Sequence, residues 1–200
     1  MPPSMIRLRR PTDSDLLQIA DDQAGEELTY GEAGATANPD LPEGYAHDRL
    51  STVLGYEDDV FRAGVRALRD WGPQRGSGLS VVATGPVVPG TTVAQAAPLG
   101  LAYAMACCRV VYVEEHADLF AYAYGTLPMH PEQGEERFAV TRIDGRVEFE
   151  VVAFSKLRYP LARLGAPVAR RLQLRALHRY LVAMQRAAAA PPPAPSKSSK

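Results

Sequence analysis

Apolar and polar positions along this chain change period twice, dividing it into a helical part, a β part and a final helical part. Thr12 or Ser14 can cap a short helix to about residue 23, with Leu16, Leu17 and Ile19 on its apolar side and Gly25 closing it. Residues 28–44 are rich in Gly, Ala, Thr and Pro and read as irregular chain. Over 47–54, Leu50, Thr52 and Leu54 alternate with Arg49, Ser51 and Val53, the period of a strand. Beyond Gly55, Val60, Phe61, Val65, Leu68 and Trp71 recur at helical spacing. Glu57, Asp58 and Asp59 lead that helix and Arg62, Arg66 and Arg69 follow, an order that complements the helix dipole. Gly72-Pro73 is expected to stop it.

From residue 79 the period becomes two. Residues 79–83, 86–88 and 91–96 read as short strands, 105–115 as a longer one, and 116–118 as a tight turn into 119–127. Two more strands, 137–143 and 146–154, flank Asp144-Gly145, which predicts a type I′ hairpin. In the second of them Val147, Phe149, Val151 and Ala153 face away from Arg146, Glu148 and Glu150. Tyr159-Pro160 marks a break, and Pro167 suits the first turn of a long helix to about residue 188. Val168, Leu172, Leu177, Leu181 and Met184 give that helix a buried stripe. Arg170, Arg171, Arg175, Arg179 and Arg186 populate the rest. A sheet with one wet face needs cover on the other, and this helix can supply it, so the class is α+β. The domains expected are an extension with a short helix at 1–27, the main domain at 28–188 and a disordered tail at 189–200.

Charge narrows the function. With 22 basic against 23 acidic residues the chain has no excess for nucleic acid. No apolar run reaches the about 18 residues of a membrane span. The basic residues near the N-terminus lead into Asp13 and Asp15 rather than an apolar segment, so no secretion signal is read there. Cys107 and Cys108 are adjacent, point to opposite faces of a strand and make a poor disulfide. A cytoplasmic home is expected.

The chemistry concentrates in residues 122–136. Phe120, Tyr122 and Tyr124 share one strand face, with Tyr112 expected nearby on the partner strand and Phe149 on another. They either pack a core or line a cavity in which phenols offer polar handles. His130 sits in a proline-stiffened loop, as a staple or as an acid–base group with Glu132, Glu135 or Glu136 beside it. Glu135 and Glu136 are neighbours at a strand start, so one faces inward and needs a partner, for which Arg109 and Arg137 are available. His47, His116, His130 and His178 have no metal-ligand spacing, and no metal or other cofactor is expected. Gly72, Gly76 and Gly78 lack the lysine of a phosphate loop, and no GxSxG elbow is present.

Tyr124-Gly-Thr-Leu-Pro128, His130-Pro131-Glu132 and Gly134-Glu135-Glu136 resemble the signature of an uncharacterised bacterial and plant family, a domain of unknown function. Leu28-Thr-Tyr-Gly31, Gly34-Ala-Thr36, Gly44-Tyr45, Cys108-Arg-Val-Val111 and Ala153-Phe-Ser155 match as well, so the likeness spans about residues 6–185. Met129 stands where family members more often carry glycine. The family is similar to the START-like, helix-grip superfamily of the birch pollen allergen. That resemblance implies a curved antiparallel sheet wrapped around the long C-terminal helix and an apolar cavity between them. The first expectation is therefore a non-catalytic protein binding a small hydrophobic or amphipathic ligand at Tyr112, Phe120, Tyr122, Tyr124 and Phe149. The alternatives are a cyclase- or hydrolase-like enzyme using His130 with Glu135 or Glu136, and a structural or interaction domain with a filled core. Contact of the arginine-rich last helix with a lipid surface is a weaker expectation.

Overall fold

The computed structural model describes residues 5–158 and 166–190, without the side chains of 166–170, 172 and 173. Eight strands make one sheet: β1 (Ile6–Arg7), β2 (Ala46–Gly55), β3 (Ser80–Ala83), β4 (Thr92–Leu99), β5 (Ala102–His116), β6 (Leu119–Thr126), β7 (Glu132–Ile143) and β8 (Arg146–Leu157). The order is β2-β8-β7-β6-β5-β4-β3, with every pairing antiparallel. β1 joins β5 beside Tyr103 and Ala104, just past the end of β6. The helices are α1 (Asp13–Asp22), α2 (Asp58–Arg69), α3 (Gly72–Gly76) and α4 (Ala166–Ala189). The sheet curves around α4, which packs on α2, α3, β2 and β8.

Local chemistry accounts for the connections. Thr12 caps α1 with a full capping box: Asp15 N–H donates to Thr12 Oγ1 at 3.1 Å and Thr12 N–H to Asp15 Oδ2 at 2.8 Å. Asp144 and Gly145 both take positive φ, 50° and 78°, as a type I′ turn demands. Two expectations need correction. Gly72-Pro73 does not simply end α2: Trp71 turns left-handed at φ 58° and the chain restarts as α3, with proline placed where its missing N–H costs nothing. Residues 86–88 are a turn, closed by Val88 N–H on Pro86 carbonyl at 2.9 Å, not a strand.

The concave face is buried under the helices. Phe120, Tyr122, Phe138 and Phe149 pack there with Leu68, Trp71 and Met184. Tyr122 stacks on Phe138 at 5.2 Å and meets Trp71 edge-on at 5.3 Å. Part of the convex face is covered too, where Leu16, Ile19 and Ala20 of α1 pack on Ala94, Ala96, Met105, Cys107, Leu127 and Met129. Leu17, expected on that side, is 42% exposed. Cys108 lies in the concave cluster and Cys107 in the convex one. On α4, Leu177 and Met184 are buried and Arg171, Arg175, Arg179 and Arg186 exposed. The expected roles of Tyr159-Pro160, of the tail beyond 190, and of the Pro167, Val168, Arg170 and Leu172 side chains lie outside what is described.

Candidate functional site

Strand alternation splits the neighbouring carboxylates. Glu136 pairs with Tyr124 on the concave face, and Glu135 pairs with Gly125 on the convex face. The convex one is locked. Glu135 Oε2 accepts from Tyr30 Oη and Gly34 N–H, both at 2.7 Å, and Oε1 from Thr36 N–H at 2.9 Å and Thr36 Oγ1 at 2.5 Å. Four donors satisfy a carboxylate that is 3% exposed. Gly125 makes this possible, because a Cβ there would lie 2.1 Å from the Tyr30 oxygen. Thr126 extends the same seam: Thr29 N–H donates to its carbonyl at 3.0 Å, and Gly134 N–H to its Oγ1 at 3.0 Å. The loop between β6 and β7 is pinned through Met129 N–H on Gln23 Oε1 at 2.9 Å and Arg158 Nη1 on Pro128 carbonyl at 2.5 Å. Thus the pieces 28–31, 34–36 and 124–136, far apart in sequence, converge on one convex clamp.

The concave side of the same stretch opens into a cavity of about 450 Å³ between the sheet and α4. Its wall includes Leu79, Leu99, Met105, Leu157, Leu177 and the small residues Ala97, Ala104, Ala106, Gly134, Ala153 and Ala176. Gln95, Tyr124, His130, Glu136 and Tyr180 bring polar atoms to it. Tyr124 Oη donates to Glu136 Oε2 at 2.7 Å, and Tyr180 of α4 lines the same cavity. Desolvation, reinforced by the charges of Glu132 and Asp48 and opposed by the Tyr124 hydrogen bond, pushes the Glu136 carboxyl up to about 7. Burial pushes the His130 imidazole down to about 4, so it is neutral at physiological pH. His130 Nδ1 lies against the Glu132 backbone, 3.1 Å from its N–H and 3.2 Å from its carbonyl oxygen. Glu136 and His130 thus line one cavity with their ordinary values displaced toward the uncharged form, the carboxyl raised and the imidazole lowered.

The expected ligand-binding residues separate. Tyr124 lines the cavity. Phe120, Tyr122 and Phe149 lie in the filled part of the core at 0–1% exposure, and the Tyr122 phenol is hydrogen-bonded to Gln74 Nε2 at 3.1 Å. Tyr112 is on the other face. A bulge in β5 moves the register from Val110↔Tyr124 to Tyr112↔Ala123, and the Tyr112 phenol meets Thr36 Oγ1 at 2.9 Å. Neither expected arginine partner meets either carboxylate. Arg109 donates to the Gln23 and Ala24 carbonyls beyond α1, and Arg137 pairs with Glu114 and Glu150. Tyr180 and Gln95 were not singled out from the sequence. Tyr180 falls between Leu177 and Met184 on the apolar stripe of α4, and Gln95 interrupts the inward row Val93, Ala97 of β4. A polar atom at an inward position was the available signal for both. Among the described residues, no group of three His, Cys, Asp or Glu could hold a metal ion, and no helix is long and apolar enough to cross a membrane.

Comparison with known proteins agrees with this geometry. The family model described as domain of unknown function (DUF1990) matches residues 29–183. A UPF0548 protein of Dictyostelium discoideum is 29% identical over 195 residues, covering 84% of this chain and 89% of its own, so such relatives are not confined to bacteria and plants. Among solved structures, hypothetical protein jhp0584 of Helicobacter pylori matches with TM-score 0.55 at 12% identity, over 80% of this chain and 95% of that one. The Zhui aromatase/cyclase of Streptomyces sp. R1128 matches with TM-score 0.53 at 10% identity, over 72% and 93%. At such identities the likeness concerns the fold, which is the helix-grip arrangement.

Proposed function

The chain belongs to the DUF1990 family, and from that premise we propose that it is a non-catalytic protein holding a small hydrophobic or amphipathic ligand between the sheet and α4. One observation carries this reading: a cavity of about 450 Å³ with largely apolar walls and a few convergent polar groups. That volume falls within the roughly 300–1,000 Å³ typical of small-molecule sites. Tyr124, Glu136, Tyr180 and the His130 imidazole are the polar handles, and the alanines of β4 and β5 supply the space. A filled core, the structural alternative, does not accommodate such a void. The free cysteines Cys107 and Cys108, both buried, support a reducing, cytoplasmic compartment.

The test is native mass spectrometry of the purified protein, followed by organic extraction. A bound small molecule of stated mass, released on unfolding, is the expected result. Recovery of empty protein from several hosts, with no hydrophobic probe taken up, would sink the reading.

A second reading, acid–base catalysis of the cyclase or hydrolase kind, is favoured by the position of Glu136 and His130 on one cavity and by the Glu136 carboxyl lying near 7. Glu135 is the weaker candidate, because its oxygens are engaged by Tyr30, Gly34 and Thr36. Turnover of a cavity-bound compound that vanishes in Glu136→Gln, with binding retained, would favour this reading over simple carriage.

A further inference from the structure

The loop between β6 and β7 is held from the far side of the sheet. Leu127 and Met129, at 0% and 4% exposure, are buried in the convex cluster with Leu16, Ile19 and Ala20 of α1. The next residue, His130, lines the cavity on the concave side. Two neighbouring side chains thus answer to opposite faces. Their Cα atoms are about 3.8 Å apart, so whatever fixes Met129 limits where His130 can stand. Backbone hydrogen bonds shape the turn itself: Leu127 N–H donates to the Cys107 carbonyl at 3.0 Å and His130 N–H to the Leu127 carbonyl at 2.8 Å. The Met129 N–H goes instead to a side chain, Gln23 Oε1, at 2.9 Å, in a buried bond that spans 106 residues of chain.

Gln23 is the C-cap residue of α1 and is itself held in place. Its N–H donates to the Ile19 carbonyl at 3.1 Å, and its carbonyl accepts from Glu26 N–H at 3.1 Å and from Arg109 Nη2 at 3.2 Å. Arg109 also donates to the Ala24 carbonyl at 2.7 Å, a cation set where the helix dipole is negative. We propose that Gln23 is a positioning residue for the cavity: from the convex side it holds Met129, and through Met129 it sets His130 in the cavity wall. The proposal rests on the ligand-binding reading above and deepens it. It makes α1, which the sequence suggests is part of an extension, a working part of the binding domain.

A glutamine suits the task. Its amide oxygen accepts the Met129 N–H without bringing a charge into the buried seam. Without that acceptor the Met129 N–H is a buried donor with nothing to bond, and the loop must shift to give it water. His130 would shift with it, out of the place where burial holds its imidazole down to about 4.

The experiment compares the full-length protein with Gln23→Met, which keeps the length of the side chain but not the acceptor, and with Gln23→Glu, which keeps both. In amide exchange followed by NMR, the Met129 amide of Gln23→Met should exchange about 10-fold or more faster than in wild type, while the amides of β7 and β8 keep their rates. The His130 ring resonance, identified by its loss in His130→Gln, should move, and its titration midpoint should climb from about 4 toward 6.5. Affinity for 2-(1-naphthyl)ethanol, read by calorimetry, should fall about 3-fold or more. Gln23→Glu should recover the His130 resonance and most of the affinity. A folded Gln23→Met with the wild-type His130 resonance, or with the wild-type affinity, overturns the proposal. Should Gln23→Met fold poorly, exchange in the wild type decides: under rising denaturant the Met129 amide should open together with those of Ile19 and Ala20 in α1, and opening apart from them overturns the proposal. Failure of the wild type to take up any hydrophobic probe sinks the ligand-binding reading, while the NMR results still decide whether Gln23 places His130.

Discussion

The two ends of the concave face are built on the same strands and do opposite things. At one end β6, β7 and β8 contribute Phe120, Tyr122, Phe138, Val140, Phe149 and Val151, all of them at 0–1% exposure. Farther along the same faces they contribute Tyr124 and Thr126, Glu136 and Gly134, Ala153 and Ser155, while β5 passes from Cys108 to Ala106 and Ala104. Side chains become smaller toward that end on β5, β7 and β8, and on β6 at Thr126. α4 crosses both ends, reaching Met184 over the filled one and Ala176 over the hollow one. The cavity is thus a deficit of side-chain volume under a continuous helix.

The comparison can be broken from either end. Phe138→Ala removes a fully buried ring that touches Tyr122, Tyr124 and Tyr180, and should cost about 3–5 kcal/mol in urea unfolding. Glu135→Ala should cost about 2–4 kcal/mol, because it strands the Tyr30 and Thr36 hydroxyls and two backbone N–H groups inside the convex clamp.

Its neighbour should behave in the opposite way. Folding raises the Glu136 carboxyl from 4.5 to about 7, so the folded state keeps a proton that the unfolded chain releases. That contribution is fully present below about pH 4.5 and is lost as pH rises to about 7. Glu136→Gln should therefore stabilise the ligand-free protein by about 1–3 kcal/mol at about pH 8 and change little at about pH 4, checked by thermal unfolding across pH. His130 has the reverse slope. Its folded-state value, lowered from 6.5 to about 4, means that stability is full above 6.5 and falls as pH drops toward 4. His130→Gln should flatten the acid side of the same profile, with a smaller effect where Glu136 offsets it.

Much of this was legible in the sequence because strand alternation is a strict rule. It put Glu135 and Glu136 on opposite faces, and Phe120, Tyr122 and Tyr124 on one face. The long last helix and the Asp144-Gly145 hairpin followed from equally local signals. What stayed hidden was non-local or depended on a single irregularity. The bulge at Val111 changes the face of Tyr112 without disturbing the apolar pattern. The clamp joins Tyr30 and Thr36 to Glu135 across about a hundred residues, which no periodicity reports. Whether the aromatic strand face lines a void depended on what stands opposite, so Tyr122 and Phe149 went to the filled core and only Tyr124 reached the cavity.

The most direct test of the hollow end is to fill it. Ala106 lines the cavity from β5, opposite Gln95 of β4. Titration of 2-(1-naphthyl)ethanol into wild type and into Ala106→Phe compares a site with and without its space. The account predicts that the variant unfolds within about 1–3 kcal/mol of wild type and loses the probe about 10-fold or more. A folded Ala106→Phe that binds the probe as tightly as wild type would contradict it.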